Sequence, residues 1–143
     1  MVVAFSFASS CSRPLTDEKL IDEFNRNKAL FERLRILSVA NNLDCPYASD
    51  PDICVPKSSE EVVAQLKRNT GFADMTVWVR RQQNVEINVP VETIGILATS
   101  THVFGYTYSR SDLTPLVENV GQELVKRQVY KRIDGDWYLF MAN

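Results

Sequence analysis

The chain is poorest in the residues and motifs that catalysis uses. It holds one histidine in 143 residues, His102, and no Gly-x-Ser-x-Gly, so the strand-to-helix elbow that presents a nucleophilic serine is missing from the sequence. His102 follows a run of hydroxyl residues, Thr99-Ser100-Thr101, and precedes three aromatics at alternate positions. That setting reads as a packed or surface strand residue, because acid–base work needs a carboxylate or nucleophile within reach. Of three cysteines, no two have Cys-x-x-Cys spacing and none lies near the histidine, so zinc-ligand geometry is lacking and no metal or cofactor is expected. No window approaches the roughly 18 apolar residues of a spanning helix. A formal charge of −2 and a pI near 5.4 exclude an overall basic field that would draw nucleic acid. Repeats, linkers and low-complexity tracts are also absent. At 143 residues the length suits one domain with one core.

What is present begins at the first residue. Met1 to Ser10 carries no charge, and Ala8, Ser9 and Ser10 lead directly into Cys11. An apolar stretch closed by narrow side chains is how an export signal ends, since the peptidase needs small residues beside the cut. The arrangement resembles the bacterial lipobox, with Ala8 where that family favours Leu. The resemblance implies that residues 1–10 are a lipoprotein signal, that Cys11 is acylated, and that residues 11–143 are a single α+β domain. Ser12 after the cysteine implies outer-membrane sorting, hence a periplasmic protein anchored by lipid. Buried methylenes contribute about 0.8 kcal/mol each, so several acyl chains hold a small domain firmly.

Cys45 and Cys54 bracket "CPYASDPDIC", a segment whose prolines and aspartates make it a loop. Eight residues with turns can bring the two Cα atoms into disulfide range. In an oxidising compartment the pair is expected to close, contributing roughly 2 to 3 kcal/mol, with two separate thiols as the alternative. Lipidation of Cys11 would leave this pair even.

Thr16 to about Asn41 carries a helical stripe of Leu20, Phe24, Phe31, Leu34 and Leu37, with Asp17 and Glu18 in the first turn, and predicts one helix of about six turns. "SSEEVVAQLKRNTG" predicts a second, with Ser58 and Glu61 at capping-box spacing and Gly71 as its stop. The period then changes to two. Met75, Val77 and Val79 alternate with polar residues, and Val85, Ile87 and Val89 follow before Pro90 interrupts. "TIGILATSTHVFGYTYSR" predicts a hairpin turning near Thr99 to Thr101, with His102, Phe104, Tyr106 and Tyr108 on one face. "SDLTPLVENVGQEL" reads equally as a short helix or a loop, and Asp134-Gly135 marks a closing hairpin. Helices first and strands later predict an α+β fold, with N-terminal helices on one face of an antiparallel meander.

"KRQVYKR" reads as a solvated strand face whose cations discourage edge pairing. Trp78 followed by Arg80 and Arg81 has the composition of a protein-binding hot spot, with a core place for Trp78 as the equal alternative, and these three are the candidate partner-binding residues. "YKRIDGDWYLFMAN", with "NKALFERL" and "FGYTYS", resembles small exported α+β lipoproteins of Gram-negative bacteria. The element order is also similar to the cystatin-like or NTF2-like cone. These resemblances imply a fold and a compartment but no activity. The expected function is that of a non-enzymatic envelope lipoprotein that binds another protein, most concretely an inhibitor or immunity protein for a periplasmic toxic effector. A structural accessory lipoprotein of an envelope or secretion assembly is the first alternative. An NTF2-like small-ligand binder or enzyme, with His102 or an acid turned inward, is the second.

Overall fold

Phe24 and Phe31 stand seven residues apart on the first apolar stripe, and their rings meet at 4.8 Å across a break in the chain. In the computed structural model, which describes residues 15–40, 53–54, 56–81, 85–96, 100–122 and 128–142, the expected long helix is two. Helix α1 spans Asp17–Arg26 and α2 spans Lys28–Val39, with Asn27 between them at φ −113° and ψ 20°. Asn27 ends one helix and begins the next. Its backbone N–H donates to Glu23 and Phe24 carbonyls, its amide nitrogen donates to the Glu23 carbonyl, and its own carbonyl accepts from Leu30 and Phe31. The Asn27 Oδ1 accepts from Asn69 at 3.0 Å, which ties the break to the third helix. Asparagine competes with the helix for backbone partners, so a polar position inside the stripe became a corner.

Strand β1 is the pair Ile53–Cys54, and α3 is Glu60–Thr70. The capping box read at Ser58 does not form. The chain enters through a 3-10 turn over Lys57–Ser59, where the Ser59 hydroxyl donates to the Pro56 carbonyl at 2.7 Å, and the helix starts at Glu60. Gly71 closes α3 in the left-handed region at φ 76°, as its position predicted.

Five more strands follow: β2 Trp78–Arg81, β3 Val85–Ile96, β4 Ser100–Ser109, β5 Val129–Asp134 and β6 Trp137–Ala142. Among the described residues they form, with β1, one antiparallel sheet of six strands in the order β1-β2-β3-β4-β6-β5. Pairing of Ile96 with Ser100 closes the expected hairpin, and Pro90 marks a bulge between Pro90 and Glu92. The meander holds through β4. The last hairpin then enters reversed, with β6 beside β4, because the chain from Arg110 onward crosses to the far edge before turning back. There Val117 donates to the Tyr130 carbonyl and Tyr130 to the Pro115 carbonyl, which covers part of the β5 edge. The closing turn is Gly135–Asp136, with Asp134 paired to Trp137, so the two-residue loop sits one position later than Asp134-Gly135.

The fold class is α+β, helices on one sheet face. The helix side buries Leu20, Phe24, Phe31, Leu34 and Leu66 against Val79, Ile87, Val89, Phe104, Tyr106 and Leu139. Rings dominate it: Phe31 lies 4.8 Å from Tyr106 and 5.5 Å from Trp137, which itself lies 5.4 Å from Tyr108. Each such pair adds about 0.5 to 1.5 kcal/mol beyond burial. The Asp17 carboxylate, 3 % exposed, accepts from the Val120 and Gly121 N–H groups at 2.8 Å each, fastening the start of α1 to a turn 103 residues away.

The Tyr106 hydroxyl donates to the Leu20 carbonyl at 2.6 Å, and burial, with the Glu23 charge second, pushes its ionisation well above the usual phenol range. A raised folded value keeps the native phenol protonated where the unfolded one ionises. Stability is therefore expected to fall above about pH 10, by about 1.4 kcal/mol per pH unit from this group. Denaturant titrations should show about 1.4 kcal/mol lost from this group between pH 9 and 11, the slope steepening toward the upper end, and Tyr106→Phe should make the loss smaller.

Candidate functional site

The register of the sheet lets its other face be read row by row. One row runs Trp78, Asn88, Thr107, Tyr138, Arg132 from β2 to β5. The next runs Pro90, Gly105, Phe140, Tyr130, and a third pairs Arg80 with Glu86 and Ser109. Large side chains stand at both ends of the first row, with smaller ones between them. On this face lies a groove of about 460 Å³, lined by Trp78, Arg80, Glu86, Asn88, Pro90, Val103, Gln128, Phe140 and Ala142.

Gly105 sits opposite Pro90, where β3 and β4 approach most closely. A Cβ there would stand 2.3 Å from the Val89 carbonyl oxygen and 2.9 Å from the Pro90 Cα, because the bulge brings β3 down against β4. Only a residue without a side chain fits beneath it.

Two arginines on this face each lie on an aromatic ring, and of the two pairs only Arg80 and Trp78 line the groove. Arg80 lies 5.5 Å above Trp78, and Arg132 lies 5.1 Å above Tyr138. The two differ in their partners. Arg132 donates to Asp112 at 2.7 Å and to the Tyr138 hydroxyl, whereas among the described residues no carboxylate pairs with Arg80. Across the groove, burial first and then the Glu86 carboxylate raise the Tyr130 phenol above its usual value, and Arg80 offsets part of this. Tyr130, Tyr138 and Phe140 form a second buried cluster on this face, covered in part by Leu113.

Asn88 is the residue that sequence reading missed. It is 1 % exposed, its Oδ1 accepts from the Thr107 hydroxyl at 3.1 Å, and its amide nitrogen has no hydrogen-bond partner. Nothing local marks it, since an asparagine in "NVEINVPVE" looks like any outward strand residue. Only the register sets it between Trp78 and Thr107.

Two further hollows flank the helices. One, of about 410 Å³, lies between α3 and β2 and is lined by Val63, Met75, Val77 and again Trp78. The other, of about 290 Å³, lies between α2 and the closing turn, where Lys28 pairs with Asp134 at 2.5 Å and Arg35 with Glu32. Both of its cations are paired there, which makes it a stitch between α2 and the hairpin, and Asp136 is a third carboxylate on its wall.

Trp78 is half-buried and Arg80 exposed, and they share the outward face; for Arg81 only the β2 backbone is described. Cys11 and Cys45 lie outside the described residues, and of Cys54 only the β1 backbone is described. His102 falls on the helix face with Phe104, Tyr106 and Tyr108, as the alternation predicted, and is 8 % exposed. Its Nδ1 and the nearby Glu92 Oε2, two buried atoms on one face of paired strands, have no hydrogen-bond partner. Among the described residues no three His, Cys, Asp or Glu side chains converge on a point that would hold a metal ion, and no helix is long and apolar enough to cross a membrane.

Comparison with protein-family models, curated proteins and solved structures returned no match to this chain.

Proposed function

We propose that this protein is a non-enzymatic envelope lipoprotein that works by binding another protein on the outward face of its sheet, with Trp78 and Arg80 at the contact. The observation that carries the reading is the Trp78–Arg80 stack, a half-buried indole under a guanidinium that has no carboxylate partner among the described residues, standing between two concavities. Tryptophan and arginine are the residues on which binding energy concentrates, because they combine a large apolar area with a directed polar group. The most concrete role is that of an inhibitor or immunity protein that occludes a toxic effector in the periplasm, the lipid on Cys11 holding it at the outer membrane where such an effector arrives. The Cys45–Cys54 disulfide belongs to the same proposal. Protein purified from its native host should give an intact mass that includes acyl chains on Cys11 and one disulfide. An unacylated product with three free thiols would remove the compartment from the reading. Capture of a stoichiometric partner from envelope extract tests the binding itself.

A second reading has its own observation. His102 and Glu92 leave buried polar atoms unpartnered on the face turned to the helices, as a small-ligand site would. The rings of Phe24, Phe31, Tyr106 and Trp137 fill the space between helices and sheet around Tyr106, and none of the hollows described above is lined by His102 or Glu92, which favours the first reading.

A further inference from the structure

The groove on the outward face ends in two hydrogen-bond donors that nothing in the described structure satisfies. One is the Asn88 amide nitrogen, in a side chain 1 % exposed, and the other is the Arg80 guanidinium. A buried donor without an acceptor costs about 1 to 3 kcal/mol, so a site that keeps one gains when an acceptor arrives. Beside these donors the lining is apolar at Trp78, Pro90, Val103, Phe140 and Ala142, with Glu86 and Gln128 as its other polar members.

We infer that this groove is a recognition subsite for a carboxylate carried beside an apolar side chain, an aspartate or glutamate flanked by an aliphatic or aromatic residue in the partner's docking segment. The inference rests on the protein-binding reading above and names the partner's chemistry. The carboxylate accepts from Asn88 Nδ2 and from Arg80, and the apolar neighbour lies along Phe140 and Val103. Glu86 opposes it. It stands directly across from Arg80 in the register without closing an ion pair, since Arg80 lies over Trp78 instead. An acid at this position lowers affinity for acidic segments in general, and only a carboxylate seated against both donors offsets the repulsion. Charge-assisted bonds to a seated carboxylate are roughly twice as strong as neutral ones, so the subsite discriminates between an acid and its amide.

The test titrates the full chain, labelled with nitrogen-15, with acetyl-Leu-Asp-Leu-amide and with its asparagine counterpart, and follows the Asn88 side-chain NH₂ resonances. The aspartate peptide should shift them, and the asparagine peptide should bind about tenfold more weakly. Arg80→Gln should weaken the aspartate peptide about tenfold, and Glu86→Gln should tighten it. Both variants lie where the fold does not depend on them, whereas Asn88→Asp is buried and serves only as a supplement. Equal binding of the two peptides, or shifts confined to residues away from the groove, overturns the inference. If the wild-type chain captures a partner from envelope extract and Arg80→Gln captures it equally, the carboxylate subsite fails while the binding reading stands. If the wild-type chain captures nothing, the reading itself fails.

Discussion

Replacing Gly105 with alanine is expected to lower stability by about 3 kcal/mol or more and the melting point by roughly 10 °C. The reason is backbone, not side chain. The new Cβ would fall 2.3 Å from the Val89 carbonyl oxygen and 2.9 Å from the Pro90 Cα, and neither can rotate away. The two central strands, β3 and β4, would have to part at the bulge. Gly71 is the control. It has φ 76° but open space around its Cβ position, so Gly71→Ala meets only the left-handed penalty of about 1 to 2 kcal/mol. Thermal melts of the two variants side by side should separate them clearly. A Gly105→Ala protein as stable as Gly71→Ala would mean that the strands are not held this closely.

Trp78→Ala is expected to reduce partner capture from envelope extract about thirtyfold, the loss of one hot-spot residue, about 2 kcal/mol. The fold should change far less, because Trp78 is only half-buried and lies outside the ring cluster that joins helices to sheet. Ile36, 57 % exposed on α2, supplies the comparison: Ile36→Ala removes a similar exposed apolar surface from the other side of the molecule and should leave capture unchanged. Equal losses from both would indicate a non-specific apolar effect, and no loss from Trp78→Ala would move the contact elsewhere.

Much of the fold could be read from periodicity alone. Leu20, Phe24, Phe31 and Leu34 recur at helical intervals and do form the buried stripe. The alternation of His102, Phe104, Tyr106 and Tyr108 does place all four on the helix face. These signals are local, so one chain is enough to see them. The departures come from partners that are distant in sequence. Asn27 breaks the first helix because its amide finds Glu23 on one side and Asn69 on the other, and in the sequence it is only a polar gap in a stripe. Ser59 turns to the Pro56 carbonyl and so displaces the cap read at Ser58. The reversed entry of β5 and β6 depends on a crossing segment that carries no periodic signal at all.

The site divides the same way. That Trp78 and Arg80 share a face was legible, because residues two apart on a strand must, but whether Trp78 belonged to the core was not. Asn88 and Gly105 were not, because their roles exist only across strands. One is an amide left without an acceptor between Trp78 and Thr107, and the other is a gap beneath a bulge.

The central claim is that the outward sheet face is where this protein meets its partner. A photo-reactive residue placed at position 86, opposite Arg80 in the groove, and, separately, at position 33 on the exposed side of α2 tests it in the native host with Trp78 and Arg80 left intact. The account predicts a single adduct of defined mass from position 86 and none from position 33. Adducts from position 33 alone, or none from either position, would contradict it.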